Sequence, residues 1–171
     1  MFHRIAFLLL FLLFPQKKSF EIDFLDVGQG HGIYLCTGGG TSMFIDGGST
    51  DVKQVGKYRI LPFLKAKGVS EISYWFVSHT DTDHVSGLKE VLVSGYRVEY
   101  LVFAKAVEKE AKTKELAELA RSHGTKVLYM QAGDTVRSKR AAMRCLYPKA
   151  ADKAEDVNDL CLVLQFEEGD I

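Results

Sequence analysis

The chain has 171 residues, no formal net charge, and 47% of its residues are hydrophobic. That is long and apolar enough to bury one core, and it excludes an intrinsically disordered chain. It also lacks the overall basic excess of a dedicated nucleic-acid binder. The local basic clusters, "VRSKRAAMR" (136–144) and Lys105, Lys109, Lys112 and Lys114, read as solvated faces, with phosphate contact as the alternative. Cys36, Cys145 and Cys161 are odd in number, show no CxxC spacing and sit in strand-like apolar surroundings. They read as buried small hydrophobes rather than a disulfide framework.

Residues 1–19 form an apolar N-terminal segment unlike the rest. Arg4 precedes an uninterrupted apolar run (5–14), followed by Pro15, Lys17 and Lys18. The run is shorter than the roughly 20 residues that a spanning helix needs. It has the length of a signal-peptide apolar region but no small-residue cleavage site after it. An uncleaved export or anchor segment, the tail of a longer membrane span and a core helix are the three readings.

The domain proper is predicted over residues 20–171. "FEIDFLDV" alternates as a strand and ends at "GQG"; "GIYLC" and "SMFID" are two strands joined by the turn "TGGGT". "VGKYRILPFLKAKG" is helical up to Gly68, with a start near Pro62 because proline fits poorly inside a helix. "EISYWFVS" has the aromatic and β-branched content of a buried central strand. "VSGLKEVLVSG" then carries Leu88, Val91 and Leu92 at helical spacing, and "RVEYLVFA" is a strand. "VEKEAKTKELAELARSHG" is the longest helix, with Leu116, Leu119 and Ala120 as its apolar stripe. "TKVLYM" is a strand, "QAGDTV" a turn, "AAMRCLYP" a strand, and "LCLVLQF" a last strand before the turn "EEGD". Hairpin strands followed by β-α-β units make an α/β layered domain. The final strand reads as one arm of a hairpin, so residues 20–171 are expected to be the front part of a longer domain.

Between the central strand and the next helix lies "HTDTDH", which holds His79, Asp81, Asp83 and His84. Residues i and i+2 leaving a strand share a side, so His79 and Asp81 can converge on one ion, and Asp83 and His84 on a second beside it. Two carboxylates this close would drive one another to protonate without a counter-charge, which a divalent cation supplies. Mixed imidazole and carboxylate donors suit such an ion. The competing readings are turn and helix N-cap residues with bystander histidines, or an all-oxygen calcium loop.

This loop resembles the His-x-His-x-Asp-His signature of the metallo-β-lactamase superfamily, with Asp81 at the middle histidine. "FLDVGQGHGIYL", "MFIDGGST", the long stretch from "VGKYRI" to "SHTDTDHVSGL", and "VNDLCLVLQFEEGD" together resemble the extracytoplasmic domain of ComEC-type DNA-internalisation competence proteins. The resemblance implies an αββα sandwich and a metal-dependent nuclease or phosphodiesterase. It would degrade DNA during uptake across a membrane, with one or two divalent ions, manganese or zinc. It further implies DNA as substrate, membrane association through the N-terminal segment or adjoining helices, and other competence proteins as partners. Carried over, His79, Asp81, Asp83 and His84 are metal ligands, Asp83 has a catalytic role as well, and Asp46 orients a ligand from beneath the loop. An aspartate at position 81 would weaken the metal as a Lewis acid and favour manganese.

Departures qualify the resemblance. His31 stands where the family carries an acidic residue after "GQG", either as a donor near the site or, more simply, as a neutral change on an exposed hairpin. The superfamily's later ligands have no clear counterpart: His123 suits a helix C-terminus, and Asp170 falls in a turn. The isolated chain is therefore expected to show little turnover, with hydrolase activity belonging to the longer protein. A hydrolase of another phosphoester or small substrate, and a non-catalytic DNA-guiding domain with a degenerate site, are the alternatives.

Overall fold

The computed structural model describes residues 19–169. Strands β1 (Glu21–Phe24), β2 (Gly32–Cys36) and β3 (Ser42–Asp46) form an antiparallel meander. β4 (Glu71–Phe76), β5 (Arg97–Ala104) and β6 (Lys126–Met130) extend it in parallel, giving one six-stranded sheet in the order β1-β2-β3-β4-β5-β6. Helices α1 (Leu61–Ala66), α2 (Thr82–Val93) and α3 (Ala111–Ser122) provide the crossovers that parallel pairing requires. A second, antiparallel sheet contains β7 (Thr135–Ser138), β8 (Ala141–Tyr147) and β9 (Val163–Glu168), in that order.

Two cores flank the large sheet. On one face, Ile60, Leu64, Val85, Leu88, Leu92 and Leu116 of the helical side pack with Phe44, Trp75 and Leu101. On the other, Leu35, Met43, Phe76 and Val102 meet Met143 and Cys145 of the small sheet. Three layers of the expected αββα arrangement are thus present among the described residues, with the six-stranded sheet in the middle. β4 is apolar on both faces because it is covered on both.

Two local differences from the sequence reading have simple causes. Helical structure begins before Pro62, as a π-helical turn over Gly56–Ile60 that runs into α1. The Leu61 N–H bonds the Gly56 carbonyl, five residues back, and this wider turn accommodates a proline that could neither donate to nor clear an ordinary α-turn. The basic stretch at 136–144 forms much of the β7–β8 hairpin, and "QAGDTV" is only partly a turn. Polarity on its solvent side masked the alternation of β7. The apolar segment predicted over residues 1–19 lies outside the described residues except for Ser19. Among those described, no helix is long and apolar enough to cross a membrane.

Leu88 is fully buried between α2 and the sheet. Leu88→Ala should destabilise the domain by about 2–5 kcal/mol through lost transfer energy and a residual cavity. Urea denaturation is the measurement.

Candidate metal centre

β4 delivers its C-terminal end to the loop 77–81, and α2 starts at once behind it. Asp81 occupies the N-cap position of α2 with extended backbone, and its carbonyl accepts from the N–H groups of His84 (2.9 Å) and Val85 (3.1 Å). Its side chain makes no capping bond. Asp83 and His84 therefore sit in the first turn, where α2 faces the end of β3.

Asp46, the last residue of β3, is the hub. It is buried and adopts the left-handed backbone conformation (φ 58°), rare for a residue with a side chain. Its carboxylate accepts from the Ser78 N–H (2.8 Å) and Ser78 hydroxyl (2.8 Å), and lies 2.9 Å from His84 Nδ1. Its carbonyl accepts from the Trp75 indole N–H at 2.6 Å. A carboxylate only accepts, so His84 carries its proton on Nδ1 and keeps the Nε2 lone pair, which faces Asp83 Oδ2 at 3.5 Å.

The glycine loops make this geometry possible by backbone contact. A Cβ on Gly48 would lie 2.4 Å from the Thr82 carbonyl oxygen and 2.6 Å from the His84 nitrogen. One on Gly30 would lie 2.1 Å from the Gly48 carbonyl oxygen. The His31 N–H donates to the Asp83 carbonyl (3.1 Å) and the Gly48 N–H to the His31 carbonyl (3.1 Å). The "GQG" and "DGG" segments are thus stacked against the N-terminus of α2, where only glycine allows such approach.

Donor atoms of His79, Asp83 and His84 lie within 4.8 Å of one another. The His79 and His84 rings are 3.6 Å apart between centroids. Burial, then the neighbouring His84, pushes the His79 pKa down. At His84 burial acts the same way, but the hydrogen bond and charge of Asp46, with the charges of Asp83 and Asp81, hold its pKa above the ordinary value. Two touching imidazoles cannot both carry protons comfortably, yet carboxylates surround them. A divalent cation satisfies that imbalance, and the two-histidine, one-carboxylate donor set suits zinc or manganese.

Asp81 is not brought into this trio. Its carboxylate pairs with Lys112 Nζ of α3 (2.7 Å) and accepts from Asn158 Nδ2 (3.2 Å), in the short 3₁₀ turn Val157–Leu160. The Lys112 hydrogen bond holds the Asp81 pKa below the usual carboxylate range. An argument for manganese from Asp81 as a ligand has no support in this placement.

Sequence reasoning preferred the less fitting of its two roles for His31, and it missed Ser78 and the placement of Cys161. His31 is exposed, but its ring stacks on His84 (4.6 Å between centroids), so it is not a neutral bystander. Ser78 directly precedes the recognised loop; its hydroxyl bridges Asp46 to both histidines, and a polar residue closing an apolar strand was the available signal. Cys161 is half-buried before β9, with Sγ 3.4 Å from His79 Nδ1. Cys36 and Cys145 are buried as expected, and all three cysteines are free. His123 caps α3 through Nδ1 and the Leu119 carbonyl (2.9 Å), while Asp170 lies outside the described residues.

No family model matches the chain. It is 29% identical to ComE operon protein 3 of Bacillus subtilis (strain 168) over 174 residues, covering 94% of this chain and 22% of the relative. It is 32% identical to Recombination protein 2 of Haemophilus influenzae over 92 residues, 53% of this chain and 12% of the relative. The chain thus spans about a fifth or less of these relatives. The metallo-β-lactamase fold protein YhfI from Bacillus subtilis superposes with a TM-score of 0.54 at 14% identity, covering 81% of this chain and 51% of that one. The chain has the metallo-β-lactamase fold and is similar in sequence to ComEC-type competence proteins. A metallo-β-lactamase from Cronobacter sakazakii gives 0.53 at 15% identity, covering 73% of this chain and 50% of its own. Both structures share the fold at an identity that speaks only to fold.

The packing around Gly48 yields a sharp expectation. Gly48→Ala should displace the first turn of α2, because the added methyl meets backbone rather than a movable side chain. Thermal unfolding should register a loss of about 1–3 kcal/mol, and manganese affinity should fall with it.

Proposed function

We propose that this ComEC-type domain is a metal-dependent phosphodiesterase acting on DNA during its uptake, on the outer side of a membrane with which its parent protein associates. The reading rests on one observation: His79, Asp83 and His84 converge within 4.8 Å at the end of a central strand in this fold. These residues would hold a divalent ion, which would acidify a bound water and neutralise charge developing at phosphorus.

The chain's own residues do the rest. Asp46 fixes the His84 ring and its protonated nitrogen, so that Nε2 is presented to the centre. Asp83, whose side chain is one-third exposed, is the carboxylate open to solvent; beyond ligation it orients the attacking water and takes its proton. Asp81, Lys112 and Asn158 tie the loop to α3 and to the turn before β9. Beside the loop opens a cavity of about 300 Å³, lined among others by Thr80, Thr82, Ser86, Lys89 and Lys112. Its hydroxyls and two lysines, which pair with Glu115 and Asp81 in this structure, offer donors that suit the phosphates of a polynucleotide.

The test uses the protein that carries this domain, assayed with manganese and with zinc. Metal-dependent cleavage of single-stranded DNA is expected, and Asp83→Ala or His84→Ala should reduce it at least about a hundredfold. Hydrolysis of a generic phosphodiester without DNA cleavage would redirect the assignment to another substrate. DNA binding with no metal-dependent hydrolysis would leave only a guiding role.

A second expectation concerns Lys112, which lines this cavity and pairs with Asp81. Lys112→Ala should weaken DNA binding and flatten its salt dependence by about one counterion. Affinity measured across a salt series reads this directly.

A further inference from the structure

His84 has its Nδ1 held by a carboxylate, but among the described residues His79 has no such partner. Two atoms lie near His79 Nδ1: Ser78 Oγ at 3.2 Å and Cys161 Sγ at 3.4 Å. Either could donate or accept, so the outcome depends on where their own protons go. The Ser78 hydroxyl donates to Asp46 Oδ2 at 2.8 Å. The Cys161 thiol donates to the Asn158 carbonyl. Both protons are therefore committed elsewhere, and both atoms turn lone pairs towards His79 Nδ1.

Ser78 is shared, because its oxygen also lies 3.1 Å from His84 Nδ1. Cys161 approaches only one of the two rings. It comes from 82 positions further along the chain and is half-buried. Its placement is not incidental to the loop: Asn158, which takes its S–H, also donates through its amide to Asp81, and the Leu162 N–H donates to the Ser78 carbonyl at 3.1 Å. The turn before β9 is thereby clasped against the loop from outside the sheet.

We infer that Cys161 is a positioning residue that accepts the Nδ1–H of His79, sets its tautomer, and leaves Nε2 free to bind the metal ion. The clasp carries the order Asn158 carbonyl, Cys161 S–H, Cys161 lone pair, His79 Nδ1–H. Cys161 is not itself a ligand. A metal-binding imidazole needs its second nitrogen held by a hydrogen-bond acceptor, and a thioether or methyl at this place would not also serve Asn158. The inference rests on His79 as a ligand, so it extends the metal-centre reading above.

Two measurements on the chain separate the two. In the metal-free protein, long-range ¹H–¹⁵N correlation spectra, with His79 assigned through His79→Gln, should show its proton on Nδ1. In Cys161→Ala a substantial share should move to Nε2, and manganese affinity should fall about tenfold. Cys161→Ser, which can both donate and accept, should restore the tautomer and most of the affinity. The inference is overturned if wild-type His79 carries its proton on Nε2, or if Cys161→Ala changes neither tautomer nor affinity. A thiolate-to-metal charge-transfer band in the cobalt(II)-loaded protein would overturn it differently, by making Cys161 a ligand. If the wild-type chain binds no metal at all, the metal-centre reading fails, while the tautomer spectra still decide the role of Cys161.

Discussion

One buried carboxylate organises the site. Asp46 stands in a backbone conformation that costs about 1–2 kcal/mol for a residue with a Cβ, and it persists because four groups converge on it. Its side chain joins the Ser78 N–H, the Ser78 hydroxyl and the His84 ring, and its carbonyl receives the Trp75 indole. These bonds connect the end of β3, the end of β4 and the first turn of α2. Strain at Asp46 and order in the loop 77–81 are therefore two sides of one arrangement. A buried carboxylate without these partners would be destabilising by several kcal/mol.

Around this hub the protein uses glycine for proximity rather than flexibility. Gly30 and Gly48 let three backbone segments touch, so the helix that carries Asp83 and His84 is pressed directly on the loops that carry His31 and Asp46. The result is a rigid floor made of backbone hydrogen bonds. His79, Asp83 and His84 then project from it with little freedom, which is how a site built on strand ends and a helix terminus gains precision. The outer side is different: there Asp81, Lys112, Asn158 and Cys161 hold the loop from α3 and from the turn before β9. Solvent reaches these contacts, so they tune the loop more than they stabilise the fold.

The fold and the floor of the site were legible from local signals. A strand apolar on both faces that gives way to "HTDTDH", and a helix with Leu88, Val91 and Leu92 on one face, follow from periodicity and side-chain chemistry alone. The place of Asp46 came from the family resemblance rather than from periodicity, and in the structure it ends β3 beside the end of β4. Even the π-helical turn before Pro62 is readable afterwards, since proline there forbids an ordinary turn.

Which carboxylates and thiols meet which partners was a different kind of fact. In the sequence Asp81 and Asp83 are equivalent, two acids two residues apart. Only the packing of α3 and of the turn before β9 shows that Lys112 and Asn158 draw Asp81 outwards while Asp83 stays with the histidines. His31 beside His84, and Cys161 beside His79, arise the same way, from contacts spanning tens of residues. The sequence by itself determined that a loop crowded with imidazole and carboxylate groups would sit at the end of a buried central strand, because hydrophobic periodicity and side-chain chemistry are local. The tertiary structure decided which of these side chains converge and which brace the loop, because that depends on distances between segments that no local pattern encodes.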